Sequence, residues 1–154
     1  MLASDGTALV GLWFVGQKYF ANGIGKNMIQ KDDLTVFVKT KAWLDRYFGG
    51  KKPNITDIPL APQGSTFRQA VWQILCDIPY GECITYGDIA KMIAAKMGKP
   101  KMSGQAVGGA VGHNPISLII PCHRVIGVNG SLTGYAGGLD KKRELLKNEG
   151  YPCV

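Results

Sequence analysis

Between residues 65 and 150 the chain is punctuated so regularly that few arrangements remain open to it. Ser65 or Thr66 can cap a helix whose apolar face is Phe67, Val71, Ile74 and Leu75. A side-chain oxygen at that position accepts one of the N–H groups that a helix start leaves unpaired. Pro79-Tyr80-Gly81 breaks this helix. Thr85-Tyr86-Gly87-Asp88 has the form of a capping box and starts a second helix, which buries Ile89, Ala90, Ile93 and Ala94. Gly98-Lys99-Pro100 ends it, and a short third helix runs from about Ser103 to His113. Asn129-Gly130, set between Val125-Ile126 and Leu132, predicts a tight β-hairpin, because its turn needs positive φ at both central positions. Leu139 to Asn148 forms a last helix, stopped by Gly150. Helix, helix, short helix, hairpin is the order of a winged helix-turn-helix, an architecture that often reads DNA, although a fold alone does not establish function.

The first third is organised differently. Residues 8–16 are bulky and apolar, which suits a largely buried strand. Ser4-Asp5-Gly6-Thr7 before it is a hairpin-type turn, yet only Met1, Leu2 and Ala3 precede that turn, so the partner strand is almost absent. Asp32-Asp33 open an amphipathic helix with Leu34, Phe37, Val38, Leu44 and Phe48 on one side, and Gly49-Gly50 stop it. A Lys-, Pro- and Gly-containing stretch follows, which sets a domain boundary at 1–62 and 63–154.

Bulk properties narrow the class. With 45% hydrophobic and 19% charged residues in 154, the chain is globular. No apolar run approaches the roughly 18–20 residues of a membrane helix, and no basic region followed by an apolar core opens the sequence, so a cytoplasmic or nucleoid protein is expected. A formal charge of +7 permits a polyanionic partner without demanding one. Cysteines stand at 76, 83, 122 and 153, with no C-x-x-C pair, and the histidines are His113 and His123. A structural zinc site needs closer paired ligands, and a disulfide framework goes with secretion, so neither is expected. Cys76 and Cys83 read as small buried hydrophobes, and Cys153 as a fraying end.

The third helix is unusual. Gly104-Gln105-Ala106-Val107-Gly108-Gly109-Ala110-Val111-Gly112 has four glycines, each costing about 1 kcal/mol relative to alanine inside a helix. It carries no charge, whereas a major-groove reading helix normally presents Arg, Lys or Asn. Either the glycines permit close packing on a neighbouring helix, or a slim helix fits a narrow groove and reads little sequence. Both stand on the residues alone.

Only Cys122 has neighbours that suggest chemistry. A thiol attacks as its thiolate, and a free cysteine at pKa about 8.5 is mostly protonated near neutrality. His123 is the adjacent base, but successive residues of a strand face opposite ways, so a bridging water or a turn is required. Glu149 is the acid available to orient the imidazole, a Cys-His-carboxylate arrangement. The opposing reading makes Pro121-Cys122-His123-Arg124 the end of a buried strand, with His123 and Arg124 reaching solvent. The spacing leaves both open.

Ile119-Ile120-Pro121-Cys122-His123-Arg124-Val125-Ile126-Gly127 resembles the active-site signature of the O6-alkylguanine-DNA alkyltransferases. Thr85 to Ala90, Ala106 to Pro115, Gly134 to Leu139 and Leu145 to Gly150 resemble that family too, so residues 65–150 are covered closely and 4–20 loosely. The resemblance implies an α+β chain. A small N-terminal sheet-and-helix domain, RNase H-like and short of its first strand, would precede the winged helix-turn-helix alkyltransferase domain. It implies that Cys122 takes the alkyl group irreversibly, once per molecule, from O6-methylguanine, with O4-methylthymine a further candidate. His123 would act as base through a water, Glu149 would orient His123, and Asn114 would brace the turn before the site. Tyr86 would donate to a guanine flipped from the duplex, a step costing a few kcal/mol. Backbone groups of Cys122 and Val125 would accept from its amine, the Ala136 amide would face O6, and Val111 would pack on the base. Arg124 and Tyr135 join this substrate- and DNA-facing set. The implied partner is double-stranded DNA entered through the minor groove by a monomer, with no cofactor, no metal and no membrane. Gln105 stands where many members carry an arginine finger; it can insert but supplies no charge. Ala136 offers no side-chain hydroxyl. A lesion binder of related type would carry tryptophan in place of Cys122, and a Cys-His hydrolase would need an oxyanion hole and a peptide cleft.

Overall fold

Residues 1–152 are described by the computed structural model; the fraying expected at Cys153 lies outside the described residues. The chain opens with an antiparallel hairpin, β1 (Leu2–Ser4) and β2 (Leu9–Leu12), in register Leu2 to Leu12 and Ala3 to Gly11. Asp5 makes the turn, its Oδ1 accepting the N–H groups of Thr7 at 2.9 Å and Ala8 at 2.8 Å. The partner strand that three residues seemed too few to build is therefore present. It is lengthened by the terminal amine, which donates to the Trp13 carbonyl at 2.8 Å, and by the Trp13 N–H to Met1 O at 3.0 Å. The strand expected over 8–16 ends at Leu12, where Leu12 N–H turns to Pro115 O and Leu12 O accepts from Ser117.

Helix α1 (Thr35–Phe48) starts two residues later than Asp32-Asp33 suggested and buries Val36, Thr40, Trp43 and Tyr47. The expected face was rotated from this: Val38 is 56% and Phe48 54% exposed. Aromatic size decides the rotation. Trp43 and Tyr47 stack at 5.5 Å with 8° between planes, and each places its polar atom on an internal partner, Trp43 Nε1 on Asn54 O at 2.9 Å and Tyr47 Oη on Glu149.

Helices α2 (Thr66–Cys76), α3 (Tyr86–Lys96) and α4 (Gly104–Gly112) follow the sequence punctuation. Ser65, Thr85 and Ser103 each accept the N–H three residues on, at 3.3, 3.1 and 3.3 Å. Val71, Leu75, Ile89, Ile93 and Val107 are fully buried where the three meet, in one core with Leu9, Leu12, Trp43 and Tyr47. Cys76 and Cys83 are only half-buried, at the margin of this core rather than within it.

The hairpin expected around Asn129-Gly130 is replaced by a turn alone. Asn129 (φ 59°) and Gly130 (φ 76°) adopt the required left-handed conformation, and Ser131 N–H reaches Val128 O. Above it only Gly127 N–H to Ser131 O continues the pairing, because β4 (Val125–Ile126) instead pairs in parallel with β3 (Ile84–Thr85). Helix α5 (Leu139–Asn148) closes the fold, burying Lys142, Leu145 and Leu146 and delivering Glu149 at its end.

The glycines of α4 do not pack. A Cβ on Gly104, Gly108, Gly109 or Gly112 would meet no atom within 4 Å, which removes close helix packing as the reason for them. Their slim face looks outward.

Candidate active site

Cys122 lies on a single 3-10 turn, Cys122–Arg124, and not at a strand end. Successive side chains are then roughly 120° apart, so strand alternation no longer separates Cys122 from His123. The loop leading to this turn is tightly set: Leu118 is buried at φ 71°, and Cys122 N–H bonds Ile120 O at 2.8 Å. A left-handed leucine costs on the order of 1 kcal/mol and persists only where its surroundings hold it.

Asn114, just past α4, holds the loop and touches the sulfur. Its Oδ1 accepts Ile116 N–H at 3.0 Å, and its Nδ2 donates to Ile120 O at 2.8 Å and to Cys122 Sγ at 3.1 Å. Burial pushes the Cys122 thiol up, while the Asn114 donor and the Lys142 charge pull it back. The resting group is a thiol that needs a base.

His123 has no exposed surface. Its Nε2 lies 2.6 Å from Glu149 Oε1, and its Nδ1 has no hydrogen-bond partner among the described residues. Burial lowers its pKa, Glu149 opposes that, and Arg124 and Lys142 reinforce it, so the ring is neutral near neutral pH. With the Nε2 proton directed at the carboxylate, the Nδ1 lone pair is the available base. Burial would raise Glu149, but donors from His123, Arg124 and Tyr47 overcome it and hold the carboxyl at about 2. Arg124 contributes Nε at 2.8 Å and Nη2 at 3.1 Å, Tyr47 its phenol at 2.7 Å, and Gly81 its N–H at 3.1 Å.

Arg124 therefore does not face DNA. It is 6% exposed, and its remaining Nη1 bonds Ile78 O at 2.6 Å, so its guanidinium is committed inside the protein to Glu149 and the backbone. Val125 is fully buried in β4, and its carbonyl accepts from Lys142 Nζ, which leaves one lone pair of that oxygen uncommitted.

Cys122 opens onto a cavity of about 360 Å³ that also brings together Tyr86, Val111, Tyr135 and Ala136. Tyr86 hydroxyl donates to Thr133 O at 3.1 Å, and burial followed by the nearby Cys122 raises it to about 12. Tyr135 Oη is buried with no partner among the described residues. Gln105 is exposed on the first turn of α4, outside the cavity wall, and Asn114, His123 and Glu149 stand behind it.

Several site residues escaped the sequence reading. Lys142 is fully buried, its ammonium donating to Thr133 O at 3.0 Å and Gly134 O at 3.1 Å, and burial lowers it to about 8 against the pull of Cys122 and Cys83. Its spacing with Leu145, Leu146 and Glu149 on one helix face was the available signal. Tyr47 had none, because the α1 face was misplaced. Lys18, Tyr19 and His113 also line the cavity; Tyr19 and His113 stack at 3.9 Å, and Lys18 N–H bonds Ala136 O at 2.9 Å.

Residues 66–151 match the family described as 6-O-methylguanine DNA methyltransferase, DNA binding domain, and residues 1–62 match the ribonuclease-like domain of the same family. A methylated-DNA–protein-cysteine methyltransferase of Haemophilus influenzae is 43% identical over 154 residues, covering 100% of this chain and 82% of that protein. One of Methanosarcina acetivorans is 49% identical over 140 residues, covering 88% and 86%. Among solved structures, Mycobacterium tuberculosis OGT in complex with DNA is similar at a TM-score of 0.83 and 39% identity, covering 99% of this chain and 88% of that one.

Proposed function

The chain belongs to the 6-O-methylguanine DNA methyltransferase family, the methylated-DNA–protein-cysteine methyltransferases, and from that premise we propose that Cys122 is the cysteine it alkylates. The activity is direct-reversal DNA repair, in which an alkyl group passes from damaged DNA to a cysteine of the protein. The observation that carries the assignment is the convergence on one sulfur of a cavity, a donor and a relay. Sγ opens to the cavity, Asn114 donates to it at 3.1 Å, and the His123–Glu149 pair stands at 2.6 Å behind.

The chemistry follows from these positions. His123 Nδ1 takes the thiol proton, through a bridging water where the ring does not reach, and the imidazolium is steadied by Glu149. The sulfur attacks the alkyl carbon of O6-methylguanine as the carbon–O6 bond breaks, and its electrons pass to the purine. Tyr86, already a donor in the cavity wall, gives its proton to the leaving base, which departs as neutral guanine, and the phenolate regains a proton through water as the His123 imidazolium gives up the one taken from the thiol. The Ala136 amide faces O6, and Val111 and Tyr135 form the wall on which the ring packs. The product is S-alkylcysteine. A thioether has no ready leaving path, so each molecule acts once.

The base must leave the duplex to reach this cavity. Helices α2, α3 and α4 with the Asn129-Gly130 turn form a winged helix-turn-helix, and α4 enters the minor groove of double-stranded DNA as a monomer's reading element. Its open glycine face admits the close backbone, and Gln105 at its exposed start fills the gap left by the flipped nucleotide. The region before residue 63 is the RNase H-like domain.

Mixing the protein with a duplex carrying O6-methylguanine, then mapping peptides by mass, tests the assignment. One stoichiometric gain of about 14 Da on the Cys122 peptide is expected. A gain on Cys76 or Cys83, or binding without any gain, overturns it.

A further inference from the structure

Tyr47 belongs to α1, a hundred residues before the carboxylate it touches, and has 1% of its surface exposed. Its Oη is 2.7 Å from Glu149 Oε1, the same oxygen that His123 Nε2 approaches at 2.6 Å, and 3.5 Å from Nε2 itself. Three donors thus share one oxygen of the carboxylate that orients the base, Arg124 Nη2 being the third at 3.1 Å. The ring is fixed on three sides, by Trp43 stacked at 5.5 Å, Phe48 edge-on at 5.2 Å and Tyr80 edge-on at 6.0 Å, so the hydroxyl has one place to point.

We propose that Tyr47 is a positioning residue for alkyl transfer, its buried phenol sharing the charge of Glu149 with His123 and so setting how readily His123 takes the Cys122 proton. This rests on the reading of His123 as the base. A carboxylate that accepts from Tyr47 has less negative charge left for the imidazole. The phenol keeps its proton, because burial and then the Glu149 charge raise it. The other charged and titratable groups around the pair come from different elements: Arg124 beside His123, Lys142 on α5, Cys83 before β3, Tyr80 after α2, Tyr135 before α5, and Cys122 itself. Tyr47 is the one among these that α1 supplies, and it makes the N-terminal region part of the proton-transfer machinery.

The direction is set by electrostatics. Removing the hydroxyl while keeping the ring concentrates charge on Glu149, favours imidazolium at His123, and moves the acid limb of the rate profile to higher pH. Strengthening the phenol as a donor moves it lower. The test is single-turnover methyl transfer from a saturating O6-methylguanine duplex to the full chain, between about pH 5 and 9. It compares the unaltered protein, Tyr47→Phe, the protein with 3-fluorotyrosine installed at position 47, and Glu149→Gln. The expected result is an acid limb raised by about half a unit in Tyr47→Phe and lowered in the fluorotyrosine protein. The fluorinated ring preserves packing, so opposite displacements cannot come from loosened structure. An acid limb moved by Glu149→Gln but by neither change at Tyr47 overturns the role of Tyr47 and leaves His123 as base. A profile that none of the three moves overturns both.

Discussion

One side-chain amide, that of Asn114, reaches both the loop that carries Cys122 and the sulfur itself, with Nδ2 at 2.8 Å from Ile120 O and 3.1 Å from Sγ. A neutral donor aimed at sulfur favours the thiolate over the thiol, and so acts more strongly as charge develops than before. Asn114→Ala should slow methyl transfer by about 100-fold, as loss of one aligned donor does elsewhere. It should also raise the pH at which Cys122 reacts with a small uncharged electrophile. Transfer at the original rate in a destabilised variant would reduce Asn114 to a brace for the loop. Cys122, His123, Glu149 and Asn114 were all nameable from the sequence, because their motif travels as a unit. Arg124 was named for the wrong task. Its position beside His123 was legible, but that Ile78 O and Glu149 would enclose its guanidinium depends on residues 46 and 25 positions away.

At the scale of elements, local signals were legible and distant pairings were not. Ser65, Thr85 and Ser103 cap the helices that the sequence assigned them, since a cap needs only the next three residues. Asn129-Gly130 makes its turn for the same reason. The partner of Val125–Ile126 is a different matter: Ile84–Thr85 takes that edge from forty residues upstream, and nothing near Asn129 records it. The face of α1 was missed likewise, because apolarity alone ranked Val38 and Phe48 above the half-polar Trp43 and Tyr47. Helix α4 shows how a structure decides between readings that composition left level. Gly109 is exposed, helical, and free of any neighbour within 4 Å of a would-be Cβ. Gly109→Ala should therefore stabilise the fold by about 1 kcal/mol, or about 2–4 °C in Tm. The same methyl should weaken lesion-duplex binding if α4 enters the groove as proposed, because it stands on the open glycine face that would meet the DNA backbone. Higher Tm with unchanged duplex affinity would detach α4 from the groove.

For the molecule as a whole, the two matched regions share one core and one carboxylate. Tyr47 from α1 and the His123–Arg124 turn both donate to Glu149, so the proposed relay is also a tie between the regions. That coupling has a sign in pH. Glu149, lowered from 4.5 to about 2 by its donors against the opposing effect of burial, contributes stability that is present above about pH 4.5 and lost as pH falls toward 2. His123, held neutral by burial with a pKa below its ordinary 6.5, takes up protons less readily than the unfolded chain does, so it subtracts stability as pH falls through 6.5. Denaturant unfolding should show stability falling from about pH 6.5 and more steeply below about 4.5. Hydrogen exchange across that interval should release α1 around Trp43 and Tyr47 together with the Cys122–Arg124 turn, because protonating one carboxylate loosens both ends of the tie. If α1 lost protection at a higher pH than the turn, the N-terminal region would be held by its apolar contacts alone and Glu149 would be no joint between them.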